Sequence, residues 1–394
     1  MRPGVGYSAR AMRGAGPILL LSAVLATTPG FSGAQQPPPV RDAPREEART
    51  EDLDAVVRDR DRRQAIPVPR ESALPFGLAI NGALRGGVQW IVDPPRAKDD
   101  VFGFGALDVL VVARPTPNVT LLIDVEGLVG PGPDQGLSSL SRLNAEAERL
   151  EGHHKRIFLR EAWVRLQTPD AGVRFNVGKL DVTHYFDRNF FAEDETRQFL
   201  NAALIGNPML RPPPNGPAAS IRISQGDWRY AFGVHAPDDF DGDMSGLPYI
   251  IGELGHRNLF ALKGHYRWWA RVGSVQDRRD DVTWGTGISI DQLVAENTGV
   301  FFRAGLSRSE NESLTSHAVS LGVQHTPTWI QRDKDLMGIG YGYQRETDGR
   351  EHVLEAYYNL TVAECCALIA SVEWIFGRRE RSAVVPGIRG LFLF

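Results

Sequence analysis

GIRGLFLF at residues 387–394 ends the chain and alternates: Ile388, Phe392 and Phe394 fall on one face of an extended strand, Arg389 and Leu393 on the other. A strand that runs to its last residue with an aromatic, apolar end is an aggregation-prone edge in water. A closed barrel removes the edge by pairing that strand with the first one. Alternation by itself fits a soluble sandwich equally well, so the terminus tips the reading toward a barrel in a membrane.

Working back from the terminus, the same period recurs. In 367–376, Leu368, Ala370, Val372, Trp374 and Phe376 separate from Ser371 and Glu373; in 353–362, Leu354, Ala356, Tyr358 and Leu360 separate from Glu355, Tyr357 and Asn359. In 259–271, Phe260, Leu262, Tyr266, Trp268 and Ala270 oppose Lys263, His265, Arg267, Trp269 and Arg271. One face suits lipid and the other water. Sixteen such stretches can be drawn, starting at 76, 101, 117, 157, 172, 217, 226, 248, 258, 283, 298, 315, 335, 350, 366 and 384. Long connections at 129–156, 182–216, 236–247, 273–282 and 309–316 interleave with brief turns such as 114–118 and 168–172. Outer loops and periplasmic turns of membrane barrels sort in this way, and only 326–334 is longer than that rule prefers. The expectation is an all-β fold, a 16-stranded antiparallel transmembrane β-barrel over 75–394.

Upstream the texture differs. Arg2, Arg10 and Arg13 without an acid, the apolar run GPILLLSAVLA at 16–26, and Ser32-Gly33-Ala34 read as a cleavable signal peptide over 1–34. Residues 35–74 are rich in Pro, Arg, Asp and Glu with too few large apolar side chains for a core, which predicts a flexible periplasmic segment. Past the N-terminus, no apolar run approaches the ~20 residues of a spanning helix. The net charge of −4, near −7 without the first 34 residues, and the lack of Lys/Arg runs argue against nucleic acid as a partner. Cys365 and Cys366 are adjacent and match neither CxxC nor a zinc spacing. At a tight turn two free thiols are the commoner outcome, a vicinal disulfide the rarer one.

Sixteen strands enclose a lumen too wide for side chains to fill. Alternation points Arg85, Asp124, Glu126, Arg222, Arg229, Arg303 and Arg389 toward it. Pore lining or solute contact is expected of Glu161, Trp163, Arg165, Arg174, Lys263, Arg267, Arg271, Glu355 and Tyr357. Mixed signs with interspersed aromatics suit neutral polyhydroxy solutes, since carboxylates and guanidinium groups hydrogen-bond hydroxyls while Trp or Tyr faces stack on a sugar ring. Basic residues outnumber acids in this set, which keeps a porin preferring small anions open as a rival; a non-conducting or enzymatic outer-membrane barrel is the other. The longest connection, 182–216, is the third outer one and carries Asp187, Arg188, Glu193, Asp194 and Arg197 among Tyr185, Phe186, Phe190, Phe191 and Phe199. A loop so aromatic is awkward in free solvent, so it is expected to fold inward as a constriction, with an outer cap as the alternative.

Five segments, LREAWVRL at 159–166, FNVGKLDVTHYFD at 175–187, AEDETRQFLN at 192–201, DLMGIGYGY at 335–343 and HVLEAYYNLTV at 352–362, carry a family likeness. Through them the chain resembles the OprB-type carbohydrate-selective porins over most of 76–394. The resemblance implies a 16-stranded outer-membrane barrel, an inward-folded third loop, and passive diffusion of glucose and related sugars. Its polar positions are Glu161, Lys179, Asp181, Asp187 and Glu355, with Lys179 and Asp181 flanking the start of the long loop. No cofactor and no enzyme activity follow from it. The expected partners are small polar solutes, outer-membrane lipid, and barrel assembly machinery reading the C-terminal Phe394; a monomer and a homotrimer both fit.

Other signals carry less. The acidic run DDFDGD at 238–243 spaces carboxylates as calcium loops do but lacks the distal bidentate Glu, so a solvated outer loop is the safer reading. His153 and His154 stand without a third metal ligand, and no Gly-x-Ser-x-Gly elbow is present, so no catalytic or metal site is assigned.

Overall fold

A computed structural model describes residues 75–92, 101–147, 155–236, 247–275, 278–310, 314–378 and 381–394. The expected signal peptide, the 35–74 segment, the acidic run 238–243 and the His153–His154 pair lie outside them. Among the described residues the chain forms sixteen strands: β1 Ala79–Trp90, β2 Val101–Thr116, β3 Val119–Val129, β4 Lys155–Gln167, β5 Val173–Leu180, β6 Gly216–Gln225, β7 Trp228–His235, β8 Tyr249–Arg257, β9 Gly264–Val275, β10 Arg278–Ala295, β11 Thr298–Ser309, β12 Ser316–His325, β13 Leu336–Glu346, β14 Gly349–Ala363, β15 Cys366–Arg378 and β16 Arg381–Leu393. Each pairs antiparallel with its sequence neighbour, and β1 pairs with β16 to close the barrel. Among the described residues no helix is long and apolar enough to cross a membrane.

The closure rests on the terminal octapeptide. Ala83 opposes Leu393 and Gly87 opposes Arg389. Beyond the last ladder pair, Gly82 N donates to Phe394 O at 2.8 Å and Phe394 N to Gly82 O at 3.0 Å. The backbone groups of the final residue are therefore satisfied by the first strand, and no edge is left there. Ile388, at 50 % exposure, faces outward while Arg389, at 5 %, faces inward.

The same division holds around the wall. Trp268 is 51 % exposed and its neighbour Trp269 fully buried, and Leu84, Trp284, Ile339, Leu368 and Trp374 join the exposed apolar outer face. In water this would be a large penalty, because roughly 25 cal/mol is lost per Å² of apolar surface left wet; against hydrocarbon it is the favourable arrangement.

Turns of two residues at 117–118, 226–227, 296–297 and 364–365 connect strands at one end, whereas 130–154 and 181–215 connect them at the other. The sorting is not strict: only two residues separate β9 from β10, where a long connection at 273–282 was expected, and likewise β13 from β14 and β15 from β16, all at the long-loop end, while 326–335 is long at the short-turn end. Arg332 and Asp335 explain the latter, pairing through two contacts of 2.8 Å while Asp335 also accepts from the Tyr358 hydroxyl and Thr361 N. Cys365 and Cys366 stand as free thiols at the β14–β15 turn, with Sγ atoms 3.2 Å apart.

Where β3 leaves the sheet, Gly130 has φ +84°, and a Cβ there would lie 2.1 Å from Gly103 O. Gly130→Ala combines a left-handed backbone with a backbone clash, so it is expected to cost about 2 kcal/mol or more. A lowered urea midpoint in detergent is the check; an unchanged midpoint would refute this account of the turn.

Candidate functional site

The inner face carries most of the side chains that alternation assigned to it, but in two different settings. Glu161, Trp163, Glu355 and Tyr357 are buried, as are Arg271, Arg303 and Arg389, whereas Arg165, Arg174 and Arg267 are only partly covered. Lys263 corrects the expectation: it is exposed in the 258–263 turn, before β9 begins, and does not belong to the wall. The continuous alternation of 259–271 hid the point at which the strand starts.

The buried set owes its burial to two connections that lie against it. In 181–215, Asp181 caps a short 3-10 turn, accepting from Thr183 N at 2.9 Å. Asp187 then accepts from the Trp269 indole at 2.7 Å and Asn207 N at 3.1 Å, with the Arg303 Nε 3.1 Å away. Arg303 also donates to the carbonyls of Ala192 and Leu204, at 2.6 and 2.9 Å. Asn201 caps the single helical turn α1, Ala202–Ile205. Glu355 accepts from Leu200 N at 2.8 Å and Asn201 N at 3.0 Å, while Glu373 accepts from the Asn201 side chain at 3.0 Å. Arg389 donates to Gln198 O, and Arg271 to Met209 O. Phe186, Phe191 and Phe199 are buried in this packing, with Phe199 edge-on to Tyr357 at 4.9 Å. Arg188 pairs with Glu193 at 2.5 Å. Asp194 caps its own turn through Thr196 N and Arg197 N, at 2.9 and 3.1 Å.

The second connection, 130–147, was not expected there. Asp134 accepts from Leu143 N and Asn144 N, which shapes the loop, and Glu351 of β14 accepts from Leu140 N and Ser141 N at 2.9 and 3.0 Å. Asn144 donates to Gln89 of β1 at 2.6 Å, and Glu146 pairs with Arg85 at 2.9 Å. The two connections bond each other, Ala145 N to Leu200 O at 3.0 Å and Ala202 N to Arg142 O at 2.9 Å.

A break in the β3–β4 register, from Asp124 opposite Glu161 to Val125 opposite Leu159, leaves Arg160 unpaired in the ladder. Both Arg160 and Glu161 are buried, so this bulge turns two consecutive charged side chains inward. Strict alternation finds only one of them. Glu161 lies 2.8 Å from His184 Nδ1 and accepts from Asp181 N at 3.2 Å; Arg160 lies 3.4 Å from His184 Nε2. Burial alone would raise the Asp181 carboxyl, but His184 and Arg160 together hold it below the usual carboxylate range. Along β4 from this cluster, the Arg165 guanidinium sits 4.8 Å from the centroid of the Trp163 ring. A cavity of about 710 Å³ opens beside Arg160 and Asp181, lined also by Lys179, Asp187, Glu193 and Arg211 among others.

Burial pushes Asp194 up to about 7, against the hydrogen bond from Thr196, and Asp187 up to about 6, against Arg303 and Trp269. Because the Asp194 carboxyl is raised from 3.8 in the folded state, its contribution to stability is full below pH ~4 and is lost as pH rises through about 7. The difference amounts to roughly 4 kcal/mol at most. Asp194→Asn keeps an acceptor and removes the charge, so its denaturation midpoint is expected to vary less between pH 4 and 8 than that of the parent chain. Equal slopes in the two proteins would contradict this.

A closed sixteen-stranded antiparallel barrel with an apolar outside, a charged inside and long connections packed on its inner wall is the architecture of a porin. The chain matches the model of the family described as carbohydrate-selective porin, OprB family, over residues 134–394, and it belongs to that family. It is similar in fold to Pseudomonas putida OprB at high pH, with a TM-score of 0.67 at 12 % identity over 80 % of this chain and 94 % of that one. It is also similar to an anion-selective porin from Comamonas acidovorans, with a TM-score of 0.54 at 10 % identity over 80 % and 99 %. An uncharacterized protein of Aquifex aeolicus (strain VF5) is 28 % identical over 205 residues, 52 % of this chain. The match spans 59 % of that relative's length. Family and fold are those of outer-membrane channels rather than enzymes.

Proposed function

We propose that this porin passes sugars and similar small polar solutes passively, and that the 181–215 connection, folded inward, sets the width of the passage. The observation that carries the reading is a cavity of about 710 Å³ whose lining sets Arg160, Lys179 and Arg211 and the carboxylates of Asp181, Asp187 and Glu193 beside the rings of Phe158 and Phe186. These groups match the hydroxyls and the apolar ring face of a monosaccharide, and the cavity is of a size that holds one. Weak multisite contact of this kind admits a solute and releases it without energy coupling. In the same reading, residues 1–34 direct export and are removed, 35–74 form a periplasmic segment, and Phe394 is the residue that barrel assembly machinery recognises.

Liposome swelling with the purified chain tests this, comparing glucose, a disaccharide, a neutral amino acid and an organic anion of similar size. Faster swelling with glucose than with the disaccharide or the amino acid is expected. Equal rates for all four would rule out sugar selectivity while leaving a general pore.

A further inference from the structure

One sector of the outer face departs from its apolar pattern at the long-loop end. There β12, β13 and β14 bring His317, Arg345 and Arg350 onto one rung, with Arg345 directly opposite both of the others. Gln344 and Glu351 beside them face inward and are buried, so alternation turns Arg345 and Arg350 outward, and both are exposed. Their Cβ atoms stand about 5 Å apart, a spacing at which like charges destabilise a sheet. On β11, Leu306 shares the rung of His317 and faces outward, and Arg308 is exposed on the same face one step farther out. Two strand spacings and one two-residue step separate Arg308 from Arg345, roughly 12 Å. Among the described residues, no ion pair or side-chain hydrogen bond reaches Arg308, Arg345 or Arg350. Asp348 in the β13–β14 turn and Glu310 just after β11 are exposed and pair with none of the three.

A band of rings fixes the depth of these charges. One rung toward the middle of the wall, Tyr343 lies opposite His352, and His352 opposite Phe376 of β15. Their ring centroids are 4.9 and 5.0 Å apart, His317 approaches Tyr343 at 5.7 Å, and Trp374 continues the band 4.6 Å from Phe376. Aromatic rings with a polar edge collect where hydrocarbon meets headgroups. Below the band, Leu321 and Ile339 are exposed and apolar. Arg345 and Arg350, one step beyond the rings, therefore stand at headgroup level. The long connections of such barrels face outside the cell, so the leaflet is the outer one.

We infer that this sector holds an outer-leaflet lipid whose headgroup is a phosphorylated saccharide. A guanidinium takes a phosphate through two parallel hydrogen bonds. The opposed Arg345 and Arg350 form one clamp and Arg308 a second, a span that suits phosphates at the two ends of a disaccharide. The acyl chains then lie along Leu306, Leu321 and Ile339. Bound phosphate supplies the negative charge that a rung of opposed arginines lacks within the protein. The site is on the outer wall and does not depend on what passes through the lumen.

Native mass spectrometry of the purified full chain in neutral detergent tests this, with bisphosphoryl lipid A, its monophosphoryl form and net-neutral phosphatidylethanolamine as the probes. The bisphosphoryl form is expected to bind about tenfold or more tightly than phosphatidylethanolamine, with the monophosphoryl form between them. Arg345→Gln/Arg350→Gln should weaken bisphosphoryl lipid A by about tenfold, and Arg308→Gln should close the gap between the two phosphorylated forms. Lys334, a cation exposed at the short-turn end, is the control, and Lys334→Gln should leave binding unchanged. Equal retention of all three lipids by the parent chain, or an equal loss from Lys334→Gln, overturns the inference. So does displacement of the lipid by inorganic phosphate at the same concentration, which would make a free anion the occupant, or a parent chain that covers this face with a second copy and retains no lipid. The comparison of lipids on the parent chain stands even where a variant fails to fold.

Discussion

Arg303→Met is expected to raise single-channel conductance by about threefold or more while the barrel stays closed. The guanidinium is 1 % exposed and holds the 181–215 connection at three carbonyls, those of Ala192, Leu204 and Asp187, besides pairing with the Asp187 carboxylate. Methionine fills the volume but donates nothing, so the carbonyls and a buried carboxylate lose their partner. Breaking one side of a buried ion pair costs on the order of 3–5 kcal/mol. Asp187 keeps the Trp269 indole and Asn207 N as donors, so the loop relieves the loss by moving away from the wall at the Ala192 and Leu204 carbonyls, while the ladder bonds of β11 to β10 and β12 do not depend on the side chain. Retained heat-modifiable migration on a gel with an enlarged conductance is the expected pair of results. Retained folding with unchanged conductance would mean that the loop does not narrow the pore.

Glu355→Leu should act in the same direction through the other end of the loop. Its two oxygens accept Leu200 N and Asn201 N, and each buried donor left without an acceptor costs about 1–3 kcal/mol. Glu373, opposite Glu355 in the ladder, keeps its bond to the Asn201 side chain, so the release is partial. A widened solute cut-off in liposome swelling, with disaccharides now entering, is the expected outcome. Combined with Arg303→Met the effect should fall short of the sum, since both substitutions free one element. Strict additivity would show that the two residues hold independent structures.

The wall was legible in the sequence because its rule is local. A period of two with lipid on one side and water on the other is written into each strand, and it placed β2, β11 and β15 at their observed first residues, 101, 298 and 366. It misplaced β9, which begins at Gly264 rather than 258, because apolar Leu259, Phe260 and Leu262 continue the alternation through a turn. The bulge at Arg160 was invisible for the opposite reason: its extra residue breaks the period, and the break is fixed by the register against β3.

The lumen was legible only in part. Aromatic residues in 182–216 announced a loop that needs burial, and Phe186, Phe191 and Phe199 are buried. Nothing comparable marks 130–147, whose Gly, Ser and Asn content reads as a solvated loop. Its place depends on Glu351, some 210 residues away, accepting Ser141 N. Alternation also cannot tell which inner-facing arginines a loop will cover. Arg271, expected to meet solute, instead donates to Met209 O, Thr283 and Ser307. Arg174 and Arg222, equally inner-facing, remain only half-buried.

The claim on which the rest depends is that this barrel conducts. Purified chain added to a planar lipid bilayer in KCl should give discrete, uniform current steps that scale linearly with voltage. A folded, heat-modifiable barrel that inserts without current steps would contradict it.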